Sequence, residues 1–241
     1  MQPLPAFIDL RALADDLAGK SEYRRLRSAL DGAGKAQSCA ADLALAQTHC
    51  DALTQMLPSP RRRGTLTRQA TEGALLQLAV ILYERATQAA SSRGERGSIK
   101  IRDHLTPEQR RDHDALVRIR QRALAHVYPN EVVNEQVWQY DVMLAVEQGL
   151  AWQPVAATKR VQFNLATFQR LERLLPDVYA MMIARFHKHL AKAMQIMNDS
   201  PLPQALFDKH RIDPVTVLGS RENVTAAIEG RVSGHASFLG D

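Results

Sequence analysis

Apolar residues recur every three or four positions over three long stretches, and that recurrence leaves few folds open. Between 165 and 197 the series is Leu171, Leu174, Leu175, Val178, Met182, Phe186, Leu190 and Met194. A helix closes a turn in about 3.6 residues, so these side chains share one stripe that must be covered. Asn164 is placed to cap this helix. Pro176 should kink it or split it in two, because proline lacks the amide proton an interior position donates. A second stretch, 37–57, carries Cys39, Leu43, Ala46, Cys50 and Leu53 on one side and stops before Pro58 and Pro60. A third starts at Thr65 or Thr67 and runs to 90. Its face of Leu66, Ala70, Leu75, Leu78, Leu82 and Ala86 suits a central bundle helix.

Composition points the same way. Aromatic residues are only 5% of the 241, while Ala and Leu abound, which favours helices over a large sheet. The net charge of +5 permits an anionic partner such as RNA, yet over this length it is a mild bias that a solvated basic surface explains equally well. Cys39 and Cys50 lie 11 residues apart on one expected helix. A rise of about 1.5 Å per residue separates them by about 16 Å, too far for a disulfide, so they read as reduced thiols. The N-terminus has no charged region followed by an apolar run, and no apolar stretch approaches bilayer length. The expected location is the cytoplasm, with no membrane partner.

The remaining segments fall around these helices. Residues 1–35 suggest an N-terminal helical arm, with short helices over 9–17 and 21–30 and a break at Gly32-Ala33-Gly34. Arg61, Arg62 and Arg63 form a basic loop, and 91–100 is a polar Gly-Ser loop. After Pro129 the texture changes. Val137, Tyr140, Val142, Leu144 and Val146 suggest an extended strand, Gln148-Gly149 a hairpin turn, and 150–152 with 160–163 the return. A helix over 131–143 competes with that hairpin. Residues 199–241 suggest an irregular tail with short helices near 203–208 and 222–229. The expected fold is mostly α, a four- to five-helix bundle over 36–198 with a small β-hairpin insertion near 137–163.

Chemistry concentrates in 106–128. Thr106 with Pro107 and Gln109 makes a helix start of the capping-box kind. Leu116, Ile119, Ala123 and Val127 form a narrow apolar stripe among Arg110, Arg111, Arg118, Arg120 and Arg122, and the run ends at His126 just before Tyr128-Pro129. Metal-independent RNA cleavage uses the 2′-hydroxyl as nucleophile. It needs a group titrating near neutrality, which histidine supplies, and a cation for the phosphoryl oxygens, which arginine supplies with its planar fork. Arg120 and His126 differ by about 240° on an ideal helix, whereas Arg122 and His126, four apart, share a face. A loosened last turn, or two helix tips meeting in a dimer, would bring Arg120 to His126.

The segment Ile119-Arg120-Gln121-Arg122-Ala123-Leu124-Ala125-His126 resembles the signature of the HEPN superfamily (higher eukaryotes and prokaryotes nucleotide-binding domains). That signature is an Arg, four to six residues, then a His, near the end of a bundle helix; Gln121 stands where the family often has Asn, Asp or His. The resemblance implies a helical bundle that dimerises and a metal-independent endoribonuclease, commonly in toxin–antitoxin or phage-defence systems. Arg120 and His126 would be its catalytic pair, Arg118, Arg122 and Tyr128 its RNA contacts, and an antitoxin or regulatory protein a further partner. Other members are inactive binding or scaffolding modules.

The same residues admit a structural reading: His126 as a helix C-terminal histidine favoured by the dipole, Arg120 as a surface arginine. A non-catalytic helical module that binds a protein or a nucleotide is therefore the alternative. His104, His113, Asp103 and Asp114 flank the key helix, and one of them could orient His126 across a dimer. His187 and His189, two apart, point to different helix faces and make a poor metal pair. No P-loop, dinucleotide fingerprint or zinc quartet is present, so neither cofactor nor metal is expected.

Overall fold

The computed structural model describes residues 6–57, 65–88, 96–126, 128–149, 151–200 and 202–229. In chain order its elements are β1 (Phe7–Ile8), α1 (Leu10–Asp16), α2 (Arg24–Met56), α3 (Leu66–Thr87) and α4 (Pro107–Ile119). There follow β2 (Val132–Val133), β3 (Gln136–Val137), β4 (Gln139–Gln148), β5 (Ala151–Arg160) and α5 (Leu165–Asp199). The described chain closes with α6 (Gln204–Lys209), β6 (Arg211–Ile212), α7 (Pro214–Leu218) and α8 (Arg221–Ile228). The fold is mostly helical, with long packed helices and small antiparallel pairings of β1 with β6, β2 with β3 and β4 with β5. Residues 61–63, the expected basic loop, lie outside the described residues, as do Val127 and 230–241. Among the described residues no helix is long and apolar enough to cross a membrane.

The chain divides into two compact units, Met1–Ala36 with Ala184–Asp241, and Gln37–Ile183; α2 and α5 contribute to both. The first unit is built on Leu13, Ala14, Leu17, Leu26, Ala29, Leu30, Ala193 and Leu202. Asp9 starts α1 by accepting from the Arg11 and Ala12 amides at 2.8 and 3.0 Å. The sequence keeps the N-terminal arm apart from the tail, whereas here they pair: Phe7 faces Ile212 across β1 and β6. Lys209 and His210 also reach Asp16 at 2.5 and 3.4 Å. The Lys209 hydrogen bond, seconded by His210, holds the Asp16 carboxyl down to about 2. In the tail α6 and α8 fall where short helices are expected, near 203–208 and 222–229, and α7 lies between them.

The expected break at Gly32-Ala33-Gly34 does not occur; α2 runs unbroken through it. Those glycines serve close approach instead. A Cβ on Gly32 would sit 2.6 Å from the His189 ring, and one on Gly34 would sit 3.3 Å from the Arg11 guanidinium. Each costs about 1 kcal/mol of helix propensity, which packing along the helix outweighs.

In the second unit α5 likewise passes through Pro176 without splitting. An interior proline costs about 3 kcal/mol. Leu171, Leu174, Leu175, Val178 and Met182 are fully buried around it, each contributing roughly 1.5–3 kcal/mol, so burial wins. On α3 the buried face is the expected one only at Leu82 and Ala86. Leu66 and Leu78 are exposed, while Leu76, Ala79, Val80, Tyr83, Ala86 and Thr87 are buried. Its central run, 74–83, is apolar except for Gln77, so periodicity alone does not choose its inner side. Asp42 of α2 ties this helix in, accepting from Arg85 and from Arg96, the latter at 2.6 Å. Asp112 of α4 does the same for α5, accepting from Arg173 at 2.9 and 3.1 Å. Cys39 and Cys50 are buried thiols of α2, and burial pushes the Cys50 thiol up to about 12.

The competing helix over 131–143 does not form. β2 and β3 make a small hairpin whose turn residues Asn134 and Glu135 both have positive φ, 49° and 65°. β4 and β5 make the expected longer one, Gln148 pairing Ala151 around Gly149 at φ 64°. Its return is one strand ending at Arg160 rather than two pieces.

Candidate functional site

α4 starts as its sequence dictates. Thr106 Oγ1 accepts from the Gln109 amide at 3.3 Å, and Gln109 Oε1 accepts from the Thr106 amide at 3.0 Å, completing the capping box. His113, Leu116 and Ile119 form its buried stripe. At Arg120 the helix changes character: residues Arg120–Leu124 form a π-helical turn, closed by the Ala125 amide donating to the Arg120 carbonyl at 2.8 Å. Such one-turn widenings are uncommon and collect at functional sites. Side chains of the following segment bond to carbonyls of the turn and of α4 before it. Gln139 Nε2 donates to the Ala123 carbonyl at 3.2 Å, and Asn134 Nδ2 to that of Ala115 at 2.8 Å.

The five sequence-predicted site residues do not form one group. Arg122, Tyr128 and His126 come together on the exposed side of the turn. The Arg122 guanidinium lies 4.4 Å over the Tyr128 ring, and the His126 ring meets Tyr128 edge-on at 6.1 Å. Arg122 is also clasped in a bidentate pair by Glu131, at 2.6 and 2.8 Å. Arg120 turns the other way, its Nε 3.3 Å from Glu84 Oε2 on α3. Arg118 is exposed and near Asp114, which Arg102 holds at 2.9 Å through two bonds.

Glu84 is the residue sequence reasoning misses. It is buried, and desolvation raises its pKa above the ordinary glutamate value while Arg120 pulls it back. Its signal was its place: Leu76, Val80 and Glu84 are four apart, putting a carboxylate on the helix's inner stripe. Glu131 was equally unmarked and gave no such signal.

Of the flanking residues, His113 cannot serve the turn. It is buried, its Nδ1 3.0 Å from the Tyr83 hydroxyl, and burial lowers its pKa. Burial also raises the Tyr83 pKa, so the two stay neutral. Asp114 is spent on Arg102. Among the described residues no group of three or more His, Cys, Asp or Glu is placed to hold a metal.

Chemically, the turn offers an exposed imidazole at His126, an arginine steadied by a buried carboxylate, and a second arginine stacked on a tyrosine. No family model, curated protein or solved structure matches the chain.

Proposed function

We propose that this protein is a metal-independent endoribonuclease of the kind the HEPN-like segment suggests, acting in the cytoplasm as a homodimer. The observation that carries the reading is the π-helical turn at Arg120–Leu124. Turns of this kind collect at functional sites. This one sets Arg120 against Glu84 and His126 against Tyr128 on different sides, so the Arg–His pair would be completed between two such helix tips in the dimer. His126 would move the proton of the 2′-hydroxyl or of the leaving oxygen, and Arg120 would hold the scissile phosphate. Glu84 engages Arg120 at Nε, which leaves the terminal guanidinium nitrogens to fork a phosphate. Arg118, Arg122 and Tyr128 would contact the rest of the RNA, and a toxin or phage-defence role with an antitoxin or regulator fits this activity.

The test is incubation of the purified protein with labelled RNA in EDTA. The parent should cleave, leaving 2′,3′-cyclic phosphate ends, and Arg120→Ala and His126→Ala should lose roughly 10²-fold or more. Glu84→Gln, which keeps an acceptor beside Arg120, should retain more cleavage than Glu84→Ala. Variants that cleave as well as the parent would end the proposal.

A second reading, a non-catalytic module that binds a protein partner, is favoured by the hairpin of β4 and β5. Met143 is 91% exposed and Trp152 67%, a degree of apolar exposure that marks interaction surfaces. Growth toxicity relieved by His126→Ala counts against it.

A further inference from the structure

Beside the π-helical turn lies a cavity of about 300 Å³, lined by Gln77 of α3, Ala123 and Leu124 of the turn, and Trp138, Gln139, Arg160, Val161 and Gln162 at the base of the hairpin. This size is at the lower end for small-ligand sites, roughly 300–1,000 Å³. Its chemistry is unusual for the molecule. Three of the lining side chains are primary amides, each carrying donors and an acceptor. Gln77 is half-buried and Gln162 exposed, and neither amide has a hydrogen-bond partner among the described residues. Gln139 spends its nitrogen on the Ala123 carbonyl, and its buried Oε1 has no partner. A buried acceptor without a partner is disfavoured, so the Gln139 Oε1 calls for an explanation. The Gln77 and Gln162 amides beside it reach solvent and are open to a ligand.

The cavity's single cation does not make it an anion site. Arg160 donates to both oxygens of Asp141, at 2.6 and 3.0 Å, and is neutralised there. The main chain is also committed: the Gln139 carbonyl accepts from Asn130 and the Val161 amide donates to Trp138, at 2.8 and 3.0 Å. What remains is a set of uncharged donors and acceptors beside an indole. That combination suits a flat, neutral group whose edge alternates donors and acceptors. A nucleobase is such a group, and side-chain amides read its edge in pairs.

We propose that this cavity is a base-reading subsite for single-stranded RNA, and that Gln77, Gln139 and Gln162 set which nucleotide lies beside the Arg120–His126 turn. The proposal rests on the ribonuclease reading for its substrate, but it is measurable without cleavage. Trp138 and Trp152 are the two tryptophans, and Trp152 stands exposed on β5, away from the cavity. In a Trp152→Phe protein the emission comes from Trp138 alone. That protein is titrated with AMP, GMP, CMP and UMP, correcting for nucleotide absorbance, and separately offered the four homopolymeric RNAs in EDTA.

A saturable change with one or two nucleotides, roughly tenfold tighter than with the others, is expected. It should be lost in Gln77→Leu with Gln162→Leu, provided that variant unfolds at the parent's Tm. No saturable change, or an equal one with all four, overturns the subsite. A selective change without cleavage of any RNA upholds the subsite and removes the ribonuclease. Cleavage at equal rates on all four homopolymers, with no change on Gln77→Leu, does the reverse.

Discussion

Two regions of the same compact unit treat polarity in opposite ways. Where α3 meets α4, titratable groups are buried in partnerships: Tyr83 with His113, and Glu84 with the half-exposed Arg120. On the hairpin of β4 and β5, apolar groups stand in the open. Alternation puts Leu144, Val146 and Val155 on one face of it and Met143, Ala156, Pro154 and Trp152 on the other, and neither face is covered. The first arrangement is expensive to build and rigid once built. The second gains nothing from burial, and a two-stranded ribbon is at best marginal alone. The difference teaches where each kind of function could reside: positioned chemistry belongs at the helix junction, recognition of a partner on the ribbon.

The contrast predicts a wide spread of stabilities. Leu116→Ala, beside the buried pair, should cost about 3 kcal/mol, read as a drop of roughly 6–12 °C in Tm. A drop under 2 °C would mean the junction is not packed as described.

The two buried partnerships should also respond to pH with opposite signs. His113 has its folded pKa depressed below 6.5, so its contribution is present above that value and lost as pH falls below it. Glu84 has its folded pKa raised above 4.5, so its contribution is present below that value and lost as pH rises through the folded pKa. Urea unfolding across this interval should show His113→Gln gaining relative to the parent as pH falls, and Glu84→Gln gaining as pH rises. Tyr83→Phe leaves the His113 Nδ1 buried without its partner and should cost about 1–3 kcal/mol. Parallel pH curves for the parent and both variants would remove the electrostatic half of the comparison.

Much of the helical architecture was legible because apolar spacing in 37–57 and 165–197 leaves one inner stripe each, and the cap at Thr106 is a local sequence signal. What was not legible has physical causes. Gly32 and Gly34 carry the same letters whether they break a helix or admit a neighbour's side chain. Pro176 breaks a helix only if burial on either side is too weak to hold it. The π-turn has no signature in Arg120-Gln121-Arg122-Ala123-Leu124, and Glu84 is a long-range partner that spacing along α4 could not name. The β2–β3 turn was hidden because Glu135 stands where a turn of this type prefers glycine.

That last feature gives a smaller effect. Glu135 sits at φ 65°, where a residue with a Cβ pays about 1–2 kcal/mol. Glu135→Gly should therefore stabilise the protein by about 1 kcal/mol, seen as a higher urea midpoint at unchanged slope. No gain would place the compensation in a contact that the glutamate itself makes.

The smallest effect is expected on the ribbon, and its smallness is informative. Met143→Ser and Trp152→Ser remove large apolar groups that water already surrounds, so no burial is lost and no cavity opens. Each should change stability by less than about 0.5 kcal/mol at low protein concentration. If either costs more than about 1 kcal/mol, those side chains are covered in solution, and a cost that grows with protein concentration would identify the cover as a second copy of the chain. If both are neutral yet abolish capture of an antitoxin or other protein partner, the ribbon carries recognition without carrying stability. A neutral result in both assays would leave Met143 and Trp152 without a role that either reading requires, and the case for function would then rest on the helix junction alone.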